Sequence, residues 1–169
     1  IHNIRVLVER CISFWKKYGP ILEDGFTFEP DGYTDIVTSG DGDYLTKDTL
    51  WDIKVSKSKP KIKDTLQILM YWIMGQHSGQ SIFSGVGYIG IFNPRLNMVW
   101  LKKVAEIDKD TIHEIESNVI GYRSDSIDIS YDDESNNSGH QNDIGNPNYT
   151  QSNDELVDKI EELLAYKAR

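Results

Sequence analysis

The sequence predicts an α/β fold in which helices accompany a mixed central sheet. Short runs of alternating and β-branched residues, broken by turn residues, indicate strands in two separate parts of the chain. Helical patterns occur before the first group of strands and between the two groups. We therefore expect the order helix, three-stranded antiparallel meander, helix and two further strands.

The first helix is expected over residues 1 to about 18, where apolar side chains recur near the helical period and Gly19-Pro20 ends the pattern. The meander is expected between Phe26 and Ser56. Its three strands read FTFEPDGYTDIVT, DYLT and TLWDIKVS, with SGDG before the second strand and Lys47-Asp48 before the third. Glycine, aspartate and serine favour turns, so these short connections predict antiparallel neighbours.

The second helix is expected from Asp64, a candidate N-cap, to Met74, because the segment is nearly all apolar and a glycine follows it. Two further strands, GVGYIGIF and MVWLKKV, are expected on either side of a turn at residues 93 to 97. A short helix is expected from Asp108 to about Val119.

The composition of the chain changes abruptly after Tyr122. The 169 residues carry a net charge of −9, but residues 1 to 123 hold 15 basic against 16 acidic side chains, and residues 124 to 169 hold 3 against 11. We expect a domain over residues 1-122, an acidic, Asn/Ser-rich flexible linker over 123-152, and an amphipathic helix over 153-169. This last helix would present Leu156, Ile160, Leu163 and Leu164 on one face, where a partner or a second copy of the chain could bind.

The composition also excludes two kinds of protein. Cys11 is the single cysteine, which rules out an internal disulfide framework and a Cys-rich zinc site. No stretch approaches the roughly 20 apolar residues that a membrane-spanning helix needs. We therefore expect a cytoplasmic protein with no membrane partner.

A two-residue hairpin loop at Lys47-Asp48 would fix the register of the second and third strands. That register places Asp43 directly across from Asp52. Side chains opposite each other stand about 5 Å apart at Cβ, and strand residues two apart share a face, so Lys54 joins the pair. Two carboxylates and an ammonium group are expected at one place.

Two carboxylates at that distance repel each other unless a cation lies between them, and oxygen ligands of this kind suit Mg²⁺ or Mn²⁺. A bound ion could orient a phosphate and lower the pKa of a water molecule. Lys54 could take a proton from that water or stabilise charge on the phosphorane. The pattern therefore favours hydrolysis of phosphodiesters.

Asp43 followed by Asp52-Ile53-Lys54 resembles the paired metal-binding motifs of the PD-(D/E)XK nuclease superfamily. Gln67 and Tyr71, in LQILMY, are similar to the Gln-x-x-x-Tyr motif of its RecB-like branch, and the element order resembles a restriction-endonuclease-like core. The resemblance covers roughly residues 1 to 105. It implies a Mg²⁺-dependent (or Mn²⁺-dependent) nuclease acting on DNA or, less often, RNA. Asp43 and Asp52 would be metal ligands, Lys54 and Gln67 catalytic residues, and Tyr71 a substrate-binding residue.

Four assignments stay open at this point. Glu9 is the one carboxylate inside the expected first helix and would be a further metal ligand, because a first-helix acid often has that role in the family. Asp35 follows Gly32 in a Gly-x-x-Asp-apolar pattern and competes with Asp43, which we prefer because the hairpin register places it. Gln67 could also cap the second helix as part of an Asp64-x-x-Gln67 pair. Asp52 could serve only as a structural ion-pair partner of Lys54, which would leave Asp43 unexplained.

Five lysines, the first of them in the catalytic strand, lie within ten residues: Lys54, Lys57, Lys59, Lys61 and Lys63. We expect Lys57, Lys59 and Lys61 to bind substrate by neutralising a nucleic-acid backbone, with DNA as the expected partner rather than RNA. The alternative function is a catalytically silent nuclease-fold module that binds DNA or another protein within a larger assembly.

Overall fold

A computed structural model describes residues 2 to 123 of the chain. The predicted C-terminal helix, and the predicted linker beyond Arg123, lie outside the described residues. The elements are, in order, α1 (His2–Tyr18), β1 (Glu23–Phe26), β2 (Gly42–Leu45), β3 (Thr49–Ile53), α2 (Ile62–His77), β4 (Tyr88–Asn93), β5 (Met98–Lys103) and α3 (Lys109–Glu114), which a π-helical turn (Ile115–Ile120) extends.

Five strands form one mixed sheet in the order β1-β2-β3-β4-β5. β1, β2 and β3 are antiparallel neighbours, as are β4 and β5. β3 and β4 are parallel, because α2 carries the chain back to the starting edge of the sheet before β4 begins. The predicted α/β class and the mixed sheet are confirmed.

The sheet is covered on both faces at β3 and β4. On one face, Phe14 of α1 stacks on Phe92 with ring centroids 4.0 Å apart and meets Trp51 edge-on at 4.8 Å. On the other face, α2 buries Ile68 and other apolar residues against the side chains of β3 and β4, among them Leu50. Because successive strand residues point to opposite faces, Leu50 and Asp52 face α2, whereas Trp51 faces α1.

The predicted first strand of the meander is wrong in its extent. β1 ends at Phe26, and residues 27 to 41 leave the sheet and run over α2 before β2 begins. Phe28 is fully buried in contact with the rings of Tyr71 and Phe83, and the Gly32 N–H donates to its carbonyl. This tertiary burial, with Pro30 unable to donate to a ladder, outweighs the β propensity of the segment.

The bounds predicted for the second helix are also corrected. α2 begins at Ile62 rather than Asp64, because the Asp64 carboxylate accepts a hydrogen bond from the Lys61 N–H at 2.8 Å from within the first turn. It continues past Met74 to His77, with Gly75 buried inside the helix. A Cβ at Gly75 would lie 2.6 Å from the ring of Phe83. Glycine is therefore needed here so that Phe83 can pack closely against the helix, and it does not mark the end of the helix.

The last predicted helix is confirmed in position. Asp108 caps it, because its carboxylate accepts from the Thr111 N–H at 3.0 Å. In residues 2 to 123, no helix has both the length and the apolar character to cross a bilayer.

The packing of Trp51 generates a stability prediction. A Cβ at Gly90 would lie 2.3 Å from the ring of Trp51, which is 1% exposed and cannot move aside. We expect Gly90→Ala to lower the free energy of unfolding by about 1 to 3 kcal/mol, measured by chemical denaturation. Gly87→Ala is the matched control, because a Cβ there meets nothing within 4 Å. Equal stabilities for the two variants would contradict this packing.

Candidate active site

The hairpin between β2 and β3 has the predicted register. Tyr44 pairs with Trp51 and Leu45 with Leu50, and the Thr46 N–H donates to the Thr49 carbonyl at 3.0 Å across the two-residue loop. The same register, continued by one position, sets Asp43 across from Asp52 on the face that α2 covers. The predicted hairpin register is therefore confirmed for Tyr44 and Leu45.

Asp43 lies at the end of the paired segment and is otherwise exposed. Its carboxylate accepts a hydrogen bond from the Ile53 N–H at 2.8 Å. The side chain thus takes a backbone donor of β3 at the point where the β2–β3 ladder stops. This contact fixes the Asp43 carboxylate beside the carboxyl end of β3, where Asp52 and Lys54 also lie.

Asp52 is a buried carboxylate with incomplete neutralisation. The residue is 6% exposed, and its Oδ1 lies 3.1 Å from the Lys54 ammonium nitrogen. Its Oδ2 is buried and has no hydrogen-bond partner among residues 2 to 123. A buried carboxylate oxygen without a partner is costly, so a positive ligand at this atom would stabilise the site.

The pKa of Asp52 reflects this imbalance. Burial raises the pKa of the Asp52 carboxyl above its usual value of 3.8, and the hydrogen bond and charge of Lys54 offset only part of that rise. The negative charges of Asp43 and Asp64 raise the pKa further. The surroundings of the Asp52 carboxylate therefore do not fully compensate its negative charge.

Lys54 is held by a chain of polar side chains that leads onto α2. Its ammonium group donates to Gln67 Oε1 at 3.0 Å, and Gln67 Nε2 donates to the Tyr71 hydroxyl at 3.0 Å. Gln67 does not cap the helix, because α2 begins five residues before it. The predicted capping role of Gln67 is therefore wrong, and its side chain contacts Lys54 instead.

Tyr71 lies half-buried at the far end of this chain, next to Gly40. A Cβ at Gly40 would be 3.4 Å from the Tyr71 hydroxyl oxygen, so the segment before β2 approaches the tyrosine closely. The structure places Tyr71 as a support for Gln67. Its role in substrate binding stays a prediction.

Asp64 also belongs to the cluster of Asp43, Asp52 and Lys54, although its sequence pattern predicts only a helix cap. It acts on the pKa of Asp52 while also accepting from the Lys61 N–H. A signal was present in the sequence, because Asp64, Gln67 and Tyr71 are spaced i, i+3 and i+7 and form one stripe along a helix. That stripe faces the carboxyl end of β3.

Two predicted residues are not brought to the cluster. Glu9 is on α1, on the opposite side of the sheet from Asp52, and its exposed carboxylate pairs with Arg5 at 3.4 Å. Its assignment as a further ligand is therefore corrected. Asp35 is exposed in a turn that Thr34 closes by accepting from the N–H groups of Ile36 and Val37. The structure thus favours Asp43 over Asp35 as the partner of Asp52.

The predicted substrate-binding lysines lie on the connection from β3 to α2. Lys57, Lys59 and Lys61 are all exposed. Buried Asn93, at the end of β4, holds this connection, because its Nδ2 donates to the Ser56 carbonyl at 3.0 Å. The sequence placed Asn93 only in a turn and gave no sign of this contact.

The residues present fit a divalent cation in part. Among residues 2 to 123, no group of three or more His, Cys, Asp or Glu side chains could hold a metal ion. Mg²⁺ commonly uses one or two carboxylates and keeps water or substrate oxygens in its other positions. The unpartnered Oδ2 of Asp52 and the neighbouring carboxylate of Asp43, whose charge acts on the pKa of Asp52, are the two oxygen donors that this smaller requirement would use.

Comparison with models of known protein families, with curated proteins and with solved structures finds no match to this chain.

The raised pKa of Asp52 predicts a stability difference that depends on pH. The folded protein binds the Asp52 proton more tightly than the unfolded chain does, so stability falls as pH rises from about 4 through the raised pKa. We expect Asp52→Asn to lack this loss and to exceed the wild type in free energy of unfolding at pH 7, measured by denaturation without divalent ions.

Asp110→Asn removes the same charge from an exposed position on α3 and is the matched control. If Asp52→Asn stabilises the protein no more than Asp110→Asn does, Asp52 is not short of positive charge.

Proposed function

We propose that this chain is a metal-dependent nuclease with a restriction-endonuclease-like core of the PD-(D/E)XK type. The observation that supports it best is the buried, unpartnered Oδ2 of Asp52, because an acidic atom in that state calls for a cation. The exposed carboxylate of Asp43 and the ammonium group of Lys54 adjoin it, which is the set of groups that phosphodiester hydrolysis needs.

Asp43 and Asp52 would hold Mg²⁺ or Mn²⁺. When bound, the ion would supply charge to a phosphate oxygen and acidify a coordinated water. Lys54 is already a donor to two oxygens, those of Asp52 and Gln67, so its ammonium group is suited to stabilise negative charge on the phosphate. Gln67 and Tyr71 restrict the position of that ammonium group.

The substrate class follows from the charges next to the site. The exposed side chains of Lys57, Lys59 and Lys61 extend along the connection that begins at Lys54. A run of lysines with water access binds a phosphate backbone by releasing counterions, without reading sequence. DNA is the proposed substrate, with RNA as the alternative.

One observation favours the second candidate, a nuclease-fold module that binds DNA without hydrolysis. In the described part of the chain no three acidic, His or Cys side chains are grouped so as to hold a metal ion, and Lys54 already neutralises one oxygen of Asp52. A site that neutralises itself in this way could keep the fold and the lysine surface with no bound metal.

Plasmid cleavage tests the proposal directly. We expect cleavage that requires Mg²⁺ or Mn²⁺ and falls at least about 100-fold in Asp52→Asn and in Lys54→Met, because each change removes a group that acts on the reacting phosphate. Nicked and linear products on a gel give the rates. Asp110→Asn and Lys109→Met, on exposed positions of α3, are the controls and should cleave at the wild-type rate.

Cleavage that survives in Asp52→Asn would place the chemistry elsewhere. An absence of cleavage on duplex DNA, single-stranded DNA and RNA, together with salt-sensitive DNA binding, would support the silent module instead.

The lysines generate a separate binding prediction. Replacing Lys57, Lys59 and Lys61 with glutamine should weaken DNA binding at low salt and reduce the slope of log K against log salt by about 2 to 3. Fluorescence anisotropy with a labelled duplex measures both. A control with Lys17, Lys103 and Lys109 replaced loses the same charge from exposed positions elsewhere. Equal slopes in the two variants would remove the lysines of the β3–α2 connection from the substrate surface.

A further inference from the structure

Helix α1 has an exposed apolar stripe beside the face that packs on the sheet. Ile4, Val8 and Ile12 are 67%, 51% and 50% exposed, and their four-residue spacing places them in one stripe along the helix. The stripe borders an open groove of about 590 Å³. Leu7, Cys11, Trp15, Lys16, Val55 and Pro94 complete its lining.

A continuous apolar stripe differs from single exposed apolar residues, which are normal on a protein surface. Phe14 packs α1 on the sheet through Trp51 and Phe92, whereas Ile4, Val8 and Ile12 stay at least half exposed beside that contact. The groove is therefore an interaction surface, and the charge of α1 indicates what it binds.

α1 carries four basic side chains, Arg5, Arg10, Lys16 and Lys17, against the single acid Glu9. A second copy of the chain docked through the same helix would bring like charges together, which opposes association. An acidic amphipathic helix suits the groove better, since its apolar residues match the stripe and its acids can pair with Lys16, the basic residue of the groove lining.

The chain itself contains a segment with that chemistry. Residues 153 to 167 hold five acidic against two basic side chains. Leu156, Ile160, Leu163 and Leu164 recur at the helical period, over a length of about 12 Å as a helix, against about 16 Å from Ile4 to Trp15.

The intervening residues 124 to 152 are enough to reach the groove. A polar chain of that length has an end-to-end distance of about 30 Å as a coil. That distance is comparable to the diameter of a domain of this size, which has a radius of gyration of about 14 Å. The segment can therefore reach any face of the domain.

We propose that residues 153 to 167 pack as an acidic amphipathic helix in the groove of α1 within the same molecule. The packing covers Ile4, Val8 and Ile12 and pairs tail acids with Lys16 at the groove edge. It is independent of the proposed nuclease activity, because α1 lies on the opposite side of the sheet from Asp52.

Cys11, the single cysteine, lines the groove and serves as a probe. In the full chain, Ile160→Cys puts a thiol on the apolar face of the tail segment, and Glu162→Cys puts one on the opposite face at nearly the same reach. Disulfide formation needs Cβ atoms about 4 Å apart, so we expect Ile160→Cys to form an intramolecular bond with Cys11 about tenfold faster than Glu162→Cys. Non-reducing gels and intact mass under a mild oxidant measure the rates.

Val8→Glu, an exposed position in the groove, should slow the reaction of Ile160→Cys without unfolding the domain. Equal rates for Ile160→Cys and Glu162→Cys would overturn the proposal, since reach alone would then explain the bond. A disulfide that forms mainly between two chains would show that the tail of a second copy occupies the groove. If neither variant forms a disulfide, the tail segment does not occupy the groove, and the proposal is overturned.

Discussion

Strand β3 is buried on both faces, and this constraint places every group of the candidate site. Its side chains alternate, so Trp51 enters the aromatic layer under α1 while Leu50 and Asp52 face α2. A shift of one residue would exchange the two sets, putting a carboxylate among aromatic rings and an indole against the core of α2. The hairpin loop prevents that shift by fixing the pairing with β2. The packing of Leu50 and Trp51 on opposite faces of β3 therefore determines the position of Asp52.

The site costs the fold stability that the surrounding core supplies. Burial and two other acids disfavour charge on Asp52 and raise its pKa, and Lys54 pairs with only one of its oxygens. Asp52 itself is 6% exposed beside a core that includes Leu50 and Ile68, and charge interactions are stronger in such a buried position than in water. An arrangement that is unfavourable for folding alone is typical of sites built to bind an ion or a developing charge.

Sequence patterns predicted the parts of the structure that depend on local chemistry. The Lys47-Asp48 loop fixed a register that holds in the structure, and the helical period identified α1 and α2. The failures have tertiary causes. Residues 27 to 41 do not join the sheet, because Phe28 is buried against α2 instead. The side of α1 on which Glu9 lies could not be predicted, because apolar residues cover both the sheet-facing side of the helix and the groove beside it. The contact from Asn93 to the lysine connection joins residues 37 apart in sequence, and no local pattern records it.

Asn93 also connects parts of the molecule that serve different purposes. Its Nδ2 holds the β3–α2 connection, while its Oδ1 accepts from the Arg95 N–H at 2.9 Å in the turn before β5. The same turn receives Arg10 of α1, whose guanidinium donates to the Pro94 carbonyl at 2.9 Å. One short turn therefore joins α1 to the backbone that carries the lysines.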